Sequence, residues 1–175
     1  MRSVLIRLSA SAFVQNDPND HVPMALAHDK LCDCLNSLQI RVRGIQYVFP
    51  RSFSIKYELN NEDKLLHPEN LLTLREAGFI LNPTREMKSR RTLVIRNFNP
   101  NAATDFEYEL TKNHSWVNLI EHQHIPTARL MKIMLPTQAD ALKLQQEGIT
   151  LECFDYPSNM ISFEIPLKVP ECLTC

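Results

Sequence analysis

Three groups of side chains in this sequence are spaced for chemistry. The first is Cys172-Leu173-Thr174-Cys175. Two thiolates separated by two residues supply half of a tetrahedral zinc site. Four ligands are needed, so on its own the pair reads as two free thiols. In a longer parent protein, with a further His and Cys, Cys172 and Cys175 read as the opening of a zinc knuckle. The second group is Arg85, Lys88, Arg90 and Arg91, set against the single Glu86, with Arg96 and Lys132 further on. Cations of this kind neutralise phosphates, the interaction that dominates nucleic-acid affinity. The third is His122 and His124, with His114 upstream. A metal would pair the first two across a strand face, but only Glu121 lies near at ligand spacing. The segment His122 to Pro126 is therefore read as a solvated loop between two strands. Enzyme signatures are missing. With 3 Gly in the chain there is no Gly-rich phosphate loop, and neither a Gly-x-Ser-x-Gly elbow nor His-Glu-x-x-His occurs. The expectation is no catalytic residue, no enzyme activity and no cofactor in this fragment, with zinc reserved for a longer parent protein.

Composition sets the bounds. The chain has 175 residues, 44% apolar and 22% charged, which suits one or two globular domains. Net charge is −1. A dedicated nucleic-acid binder is usually basic, so this balance argues against strong non-specific binding by the whole chain and leaves room for a local basic patch. With 11 Pro against 3 Gly, corners are Pro-shaped, as in Asn82-Pro83, Asn99-Pro100 and Tyr156-Pro157. The 5 Cys are odd in number, and Cys32 and Cys34 sit inside a helical pattern, one expected to face the core and one not. That is no disulfide framework; it implies a reducing compartment, cytoplasmic or nuclear. No run approaches the roughly 20 apolar residues of a membrane span, so no membrane association is expected.

The elements that must position these groups follow from periodicity. Val4 to Leu8 reads as a strand, and Ser9 to Pro23 as a long loop. Met24 to Leu38 carries Leu at helical spacing, with Asn19 or Asp20 ahead of it. Ile45 to Phe49 and Ser52 to Leu59 form a hairpin; in the second run Phe53, Ile55 and Tyr57 alternate with Ser54, Lys56 and Glu58, and the aromatic side is read as core. A helix over Asn61 to Ala77 is divided at His67-Pro68 and stopped at Gly78, before a short strand at Phe79 to Leu81. The same order returns later: Leu93 to Ile95, a helix from Asp105 to Lys112 capped by Thr104 with Glu107 in the capping box, a strand at Val117 to Ile120, and a strand at Leu130 to Leu135. Then come a helix from Thr137 to Gln146 ended by Gly148, a fourth strand beginning at Ile149 to Phe154, and an edge segment at Ile161 to Ile165. The predicted fold class is α+β: two tandem βαββαβ sandwiches, each a four-stranded antiparallel sheet with two helices on one face. The predicted domains are 1–83 and 92–168, joined by a basic linker 84–91 and followed by a tail 169–175.

The run Leu93-Val94-Ile95-Arg96-Asn97-Phe98 resembles the first-strand motif of the RNA recognition motif (RRM) family. The resemblance implies a ferredoxin-like fold whose open sheet face stacks bases on aromatics of the first and third strands. Here Val94 stands at the stacking position, and Leu130 to Met134 holds no aromatic. Stacking contributes roughly 1–3 kcal/mol per base, so that route is weakened. Arg96, Lys132 and the basic linker remain for phosphates. Met131 and Ile133, if exposed, offer a protein-binding face instead.

Residues 91–175 together resemble the segment that precedes the CCHC zinc knuckles in Gag-like first-open-reading-frame proteins of non-LTR retrotransposons. The resemblance is carried by Leu93 to Phe98, Met131-Lys132-Ile133, Ala139-Asp140-Ala141-Leu142, Gly148 to Leu151, Tyr156-Pro157, Ile161 to Glu164 and Val169 to Cys175. It implies packaging of the element's own transcript, with single-stranded RNA (or DNA) as partner and self-association. The alternative reading is a protein-interaction or self-assembly module of RRM-like domains that lack stacking aromatics. The basic linker favours the first; the missing aromatics and the −1 charge favour the second.

Overall fold

The computed structural model describes residues 1–9 and 24–164. The expected cap at Asn19 or Asp20, most of the first loop, and the tail with Cys172 and Cys175 lie outside the described residues. The chain divides into two compact units, Met1–Thr84 and Arg85–Cys175.

In the first unit, strand β1 (Arg2–Leu8) alternates in burial. Val4, Ile6 and Leu8 face the core, while Ser3, Leu5 and Arg7 face outward. Helix α1 (Met24–Ser37) covers the inner side with Ala27, Leu31 and Leu35, spaced one turn apart and all buried. Each such Leu contributes roughly 1.5–3 kcal/mol of apolar burial. The helix ends in a Schellman turn: Gln39 takes φ 55, Ile40 N–H donates to the Leu35 carbonyl at 2.8 Å, and Ile40 is buried beyond it. Strands β2 (Gly44–Val48) and β3 (Ser52–Tyr57) form the expected hairpin, with Phe53, Ile55 and Tyr57 in the core. The next helix is split, as expected, into α2 (Glu62–Leu65) and α3 (Pro68–Glu76), with Pro68 at the first helical position. Gly78, at φ 94, leads into β4 (Phe79–Leu81). The sheet order is β2-β3-β1-β4, antiparallel throughout. Cys32 and Cys34 are both half-buried, so neither is the core cysteine expected.

The second unit opens with a helix where a linker was expected: α4 (Arg85–Ser89). Its Met87 is buried, and the helix belongs to the second unit. Strand β5 (Thr92–Arg96) follows, then α5 (Phe106–Asn113), preceded by Asp105 without a side-chain cap, so Thr104 does not cap it. Strand β6 is Glu121–Ile125 and β7 is Leu130–Met134. The histidine stretch is therefore a strand, and Val117 to Ile120 is not. The reason is tertiary: among the described residues β6 is an edge, paired only to β7, and an edge strand needs no apolar alternation of its own. Helix α6 (Gln138–Glu147) is capped as expected by Thr137, whose hydroxyl accepts from Asp140 N–H at 3.0 Å. Ile149 to Phe154 does not supply the fourth strand. β8 (Ile149–Thr150) and β9 (Asp155–Tyr156) pair with each other in a separate ribbon, and β10 (Ile161–Phe163) fills the sheet edge. The sheet order is β10-β5-β7-β6. Both units thus place the first and third strands at the centre, with fourth beside first and second beside third, the topology of the RRM fold. Met131 and Ile133 are fully buried, which rules them out as an exposed protein-binding face.

Candidate nucleic-acid interface

The open face of the second sheet is set by its register. Val94 stands opposite Lys132, with Gln123 beyond it on β6 and Ser162 on β10. Thr92 stands opposite Met134, and Arg96 opposite Leu130. Among the described residues of these four strands, no aromatic ring lies on this side; Phe163 shares the register row of Leu93 and packs against the core. Helix α4 closes one end. A groove of about 450 Å³ there is lined by Arg85, Lys88, Ser89, Lys132, Glu121 and Glu164, among others. Its charges are largely matched. Lys132 Nζ donates to Glu164 Oε1 at 2.8 Å, and Lys88 Nζ stands 3.9 Å from Glu121. The Lys132 hydrogen bond, with smaller help from Ser89 and Arg85, holds the Glu164 carboxyl below the usual carboxylate range against the opposing effect of burial.

The open face of the first sheet has a different character. Cross-strand rows there are Ser3 with Lys56, Leu5 with Ser54 and Gln46, and Arg7 with Ser52, Val48 and Ile80. These strand positions hold two cations, hydroxyls, an amide and no carboxylate. Arg7 and Lys56 are exposed, and neither makes an ion pair among the described residues. Glu58, just past β3, is taken by the Arg43 guanidinium. Leu5, 48% exposed at the centre of this face, offers apolar contact to a base. A small surface pocket runs along it beside Ser3, Arg7, Ser54 and Asn82.

The residues singled out from sequence divide cleanly. Arg85, Lys88 and Arg96 are exposed, and the first two share one groove with Lys132. Arg90 and Arg91 are not available to phosphates. They are 5% and 4% exposed; Arg90 Nη1 donates to Glu86 Oε1 at 2.9 Å, and Arg91 Nη1 to the Met87 carbonyl at 3.0 Å. Folding α4 turns these two arginines inward as helix-terminal braces. The four-residue spacing of Glu86 and Arg90 was the sequence signal for that helical pair. His122 and His124 do not face a metal: the first packs its ring on Phe106 and the second on Phe98. Among the described residues, no group of three or more His, Cys, Asp or Glu could hold a metal ion. No helix among them is long and apolar enough to cross a membrane. Sequence reasoning missed Arg7 and Lys56. The signal was there: each is the polar residue of an alternating strand, and only the pairing of β1 with β3 puts both on one face.

No protein-family model matches the chain, and no curated protein matches it. Solved structures show a likeness, two of them as follows. One is described as interdomain RRM packing in the rna15, hrp1 and anchor RNA 3′ processing ternary complex, with TM-score 0.35 and 10% identity over 94% of this chain and 98% of that one. The other is a Sxl-lethal protein/RNA complex, with TM-score 0.29 and 11% identity over 91% and 96%. At these values the likeness adds nothing to the reading of the site.

Proposed function

We propose that this chain binds single-stranded RNA or DNA through phosphate contacts on its open sheet faces, and that it does so as the RNA-packaging, Gag-like module of a non-LTR retrotransposon. The observation that carries the binding is the basic open face of the first unit, whose strand positions hold Arg7 and Lys56 and, among the described residues, no carboxylate. The Gag-like assignment draws its support from the run of residues quoted between positions 91 and 175. In a longer parent protein Cys172 and Cys175 would join two further ligands in a zinc knuckle. Without aromatic platforms, affinity rests on charge and carries little base specificity. A second reading, self-assembly, is favoured by one feature: the Lys132–Glu164 pair neutralises the centre of the second open face.

The test is fluorescence anisotropy of a labelled single-stranded RNA with the full chain. Phosphate contacts by Arg7, Lys56, Arg85, Lys88 and Arg96 imply a log–log salt slope near −0.7 per contact, or a loss of about 100-fold between 50 and 200 mM salt. Arg7→Ala with Lys56→Ala lowers the slope by about 1.4. Absence of binding at 50 mM salt, beside a concentration-dependent mass in light scattering, would replace this reading with self-assembly.

A further inference from the structure

The first unit carries a second cationic site at the end of its sheet. The turn after α1 and the turn after β3 enclose a cleft of about 880 Å³, within the roughly 300–1,000 Å³ typical of ligand sites. Its walls hold Arg41, Arg43 and Lys64, with the carboxamides of Asn36, Gln39 and Asn61. Among the described residues Glu58 is the only carboxylate lining it, against Arg41, Arg43 and Lys64. Two of the cations are held in place by protein acceptors. Lys64 Nζ donates to the Gln39 carbonyl at 3.0 Å, and Arg43 pairs with Glu58. The Schellman turn that places Gln39 in the left-handed region points its carbonyl to that lysine. Arg41 is exposed and makes no ion pair among the described residues.

The cleft continues the basic open face. Arg43 N–H donates to the Lys56 carbonyl at 2.7 Å, so the cation at the end of the open face is bonded through the backbone to the first cation of the cleft. Along β3 the rise from Ser52, opposite Arg7, to Lys56 is about 13 Å. Arg7 and Lys56 lie on the sheet face, and Arg43 and Arg41 lie past its end in the cleft, with Glu58 paired to Arg43. An open, hydrated cleft holds a lone small anion weakly, because water screens its charges. A polymer already seated on the sheet supplies its next phosphate at millimolar effective concentration, which makes weak contacts count. Carboxamides beside the cations can donate to phosphate oxygens and to the exposed edges of bases.

We infer that this cleft is a second phosphate-backbone site, which carries a nucleic-acid strand off the open face and around the end of the first unit. The inference rests on the nucleic-acid reading above and names the path of the strand.

The experiment measures binding of the full chain to labelled oligo(U) of four and of twelve nucleotides. Arg41→Ala with Arg43→Ala weakens the twelve-nucleotide probe several-fold at 50 mM salt and lowers its salt slope by about 0.7, the share of Arg41, because Arg43 is held by Glu58, while the four-nucleotide probe changes by less than about twofold. Arg7→Ala with Lys56→Ala weakens both probes. Asn60 also lines the cleft, and Asn60→Asp, which leaves the Arg43–Glu58 pair intact and puts a carboxylate in the cleft wall, shifts the long probe in the same direction. Amide resonances of Gln39, Arg41 and Asn61 move with the long probe only. Cleft variants that bind both lengths as the wild type does, while the open-face variant loses both, would overturn this inference and leave the nucleic-acid reading intact. Wild-type chain that binds neither length would overturn both.

Discussion

Glu164→Gln is expected to strengthen nucleic-acid binding while slightly weakening the fold. The carboxylate sits 2.8 Å from Lys132 Nζ, and the two side chains are 27% and 31% exposed. A partly exposed pair of this kind contributes up to about 1 kcal/mol. Glutamine keeps the shape and one acceptor, so the second unit loses less than that, a fall in Tm of a few degrees. The same carboxylate repels any phosphate that approaches Lys132. At about 6 Å the repulsion is roughly 0.7 kcal/mol in water and about four times larger at the dielectric of a protein surface. Removing it strengthens binding at least about threefold at 50 mM salt and adds one phosphate contact, steepening the salt slope by about 0.7. The assay is anisotropy with a single-stranded RNA at 50 and 200 mM salt for wild type, Glu164→Gln, Lys132→Ala and the double variant. The gain must shrink in the Lys132→Ala background, because the carboxylate acts by occupying that lysine. A gain of equal size in both backgrounds, or no gain, would refute the masking of Lys132. The pair also has a pH signature. Because the folded-state pKa of Glu164 lies below its ordinary 4.5, its stabilisation is complete above that value and is lost as pH falls through the folded pKa.

Two further outcomes concern the second unit's stability. Gly148 has φ 79 and ψ 174, a region open almost only to glycine, and an added Cβ would stand 3.0 Å from the Tyr156 carbonyl oxygen. Gly148→Ala should therefore cost about 1–3 kcal/mol, read by urea denaturation; an unchanged midpoint would show that the α6–β8 turn relaxes freely. His114 Nε2 accepts the Thr150 N–H at 3.1 Å, and burial lowers its pKa despite Glu147 at 3.9 Å. The unfolded chain thus holds this proton more tightly than the folded one. Stability should fall as pH drops below about 6.5, and His114→Gln, which keeps an acceptor, should flatten the curve between pH 7.5 and 5. A curve that Gln leaves unchanged would assign the pH dependence to other groups.

The sequence by itself determined the fold class. Strand alternation in Val4 to Leu8 and Ser52 to Tyr57, the proline that splits the helices at His67-Pro68, and the Thr137 cap are local signals, and each holds in the structure. The order of elements then leaves few topologies, and the one found is the RRM arrangement in both units. The run Leu93 to Phe98 pointed to the central strand, and Val94 does lie on the open face without a ring. What only tertiary structure decided is which polar residues share a surface. Arg90 and Arg91 look like linker cations in one dimension, but α4 ends beside them and their guanidinium groups are consumed by Glu86 and the Met87 carbonyl. The histidine stretch carries no strand pattern, because β6 borrows its order from β7 across the ladder. Arg7 and Lys56 lie 49 positions apart in the sequence and come to share one sheet face only through the pairing of β1 with β3. Periodicity reports the burial of one element against its own axis. Charge complementarity on a surface depends on which elements are neighbours, and that is fixed only when strands from distant parts of the chain pair.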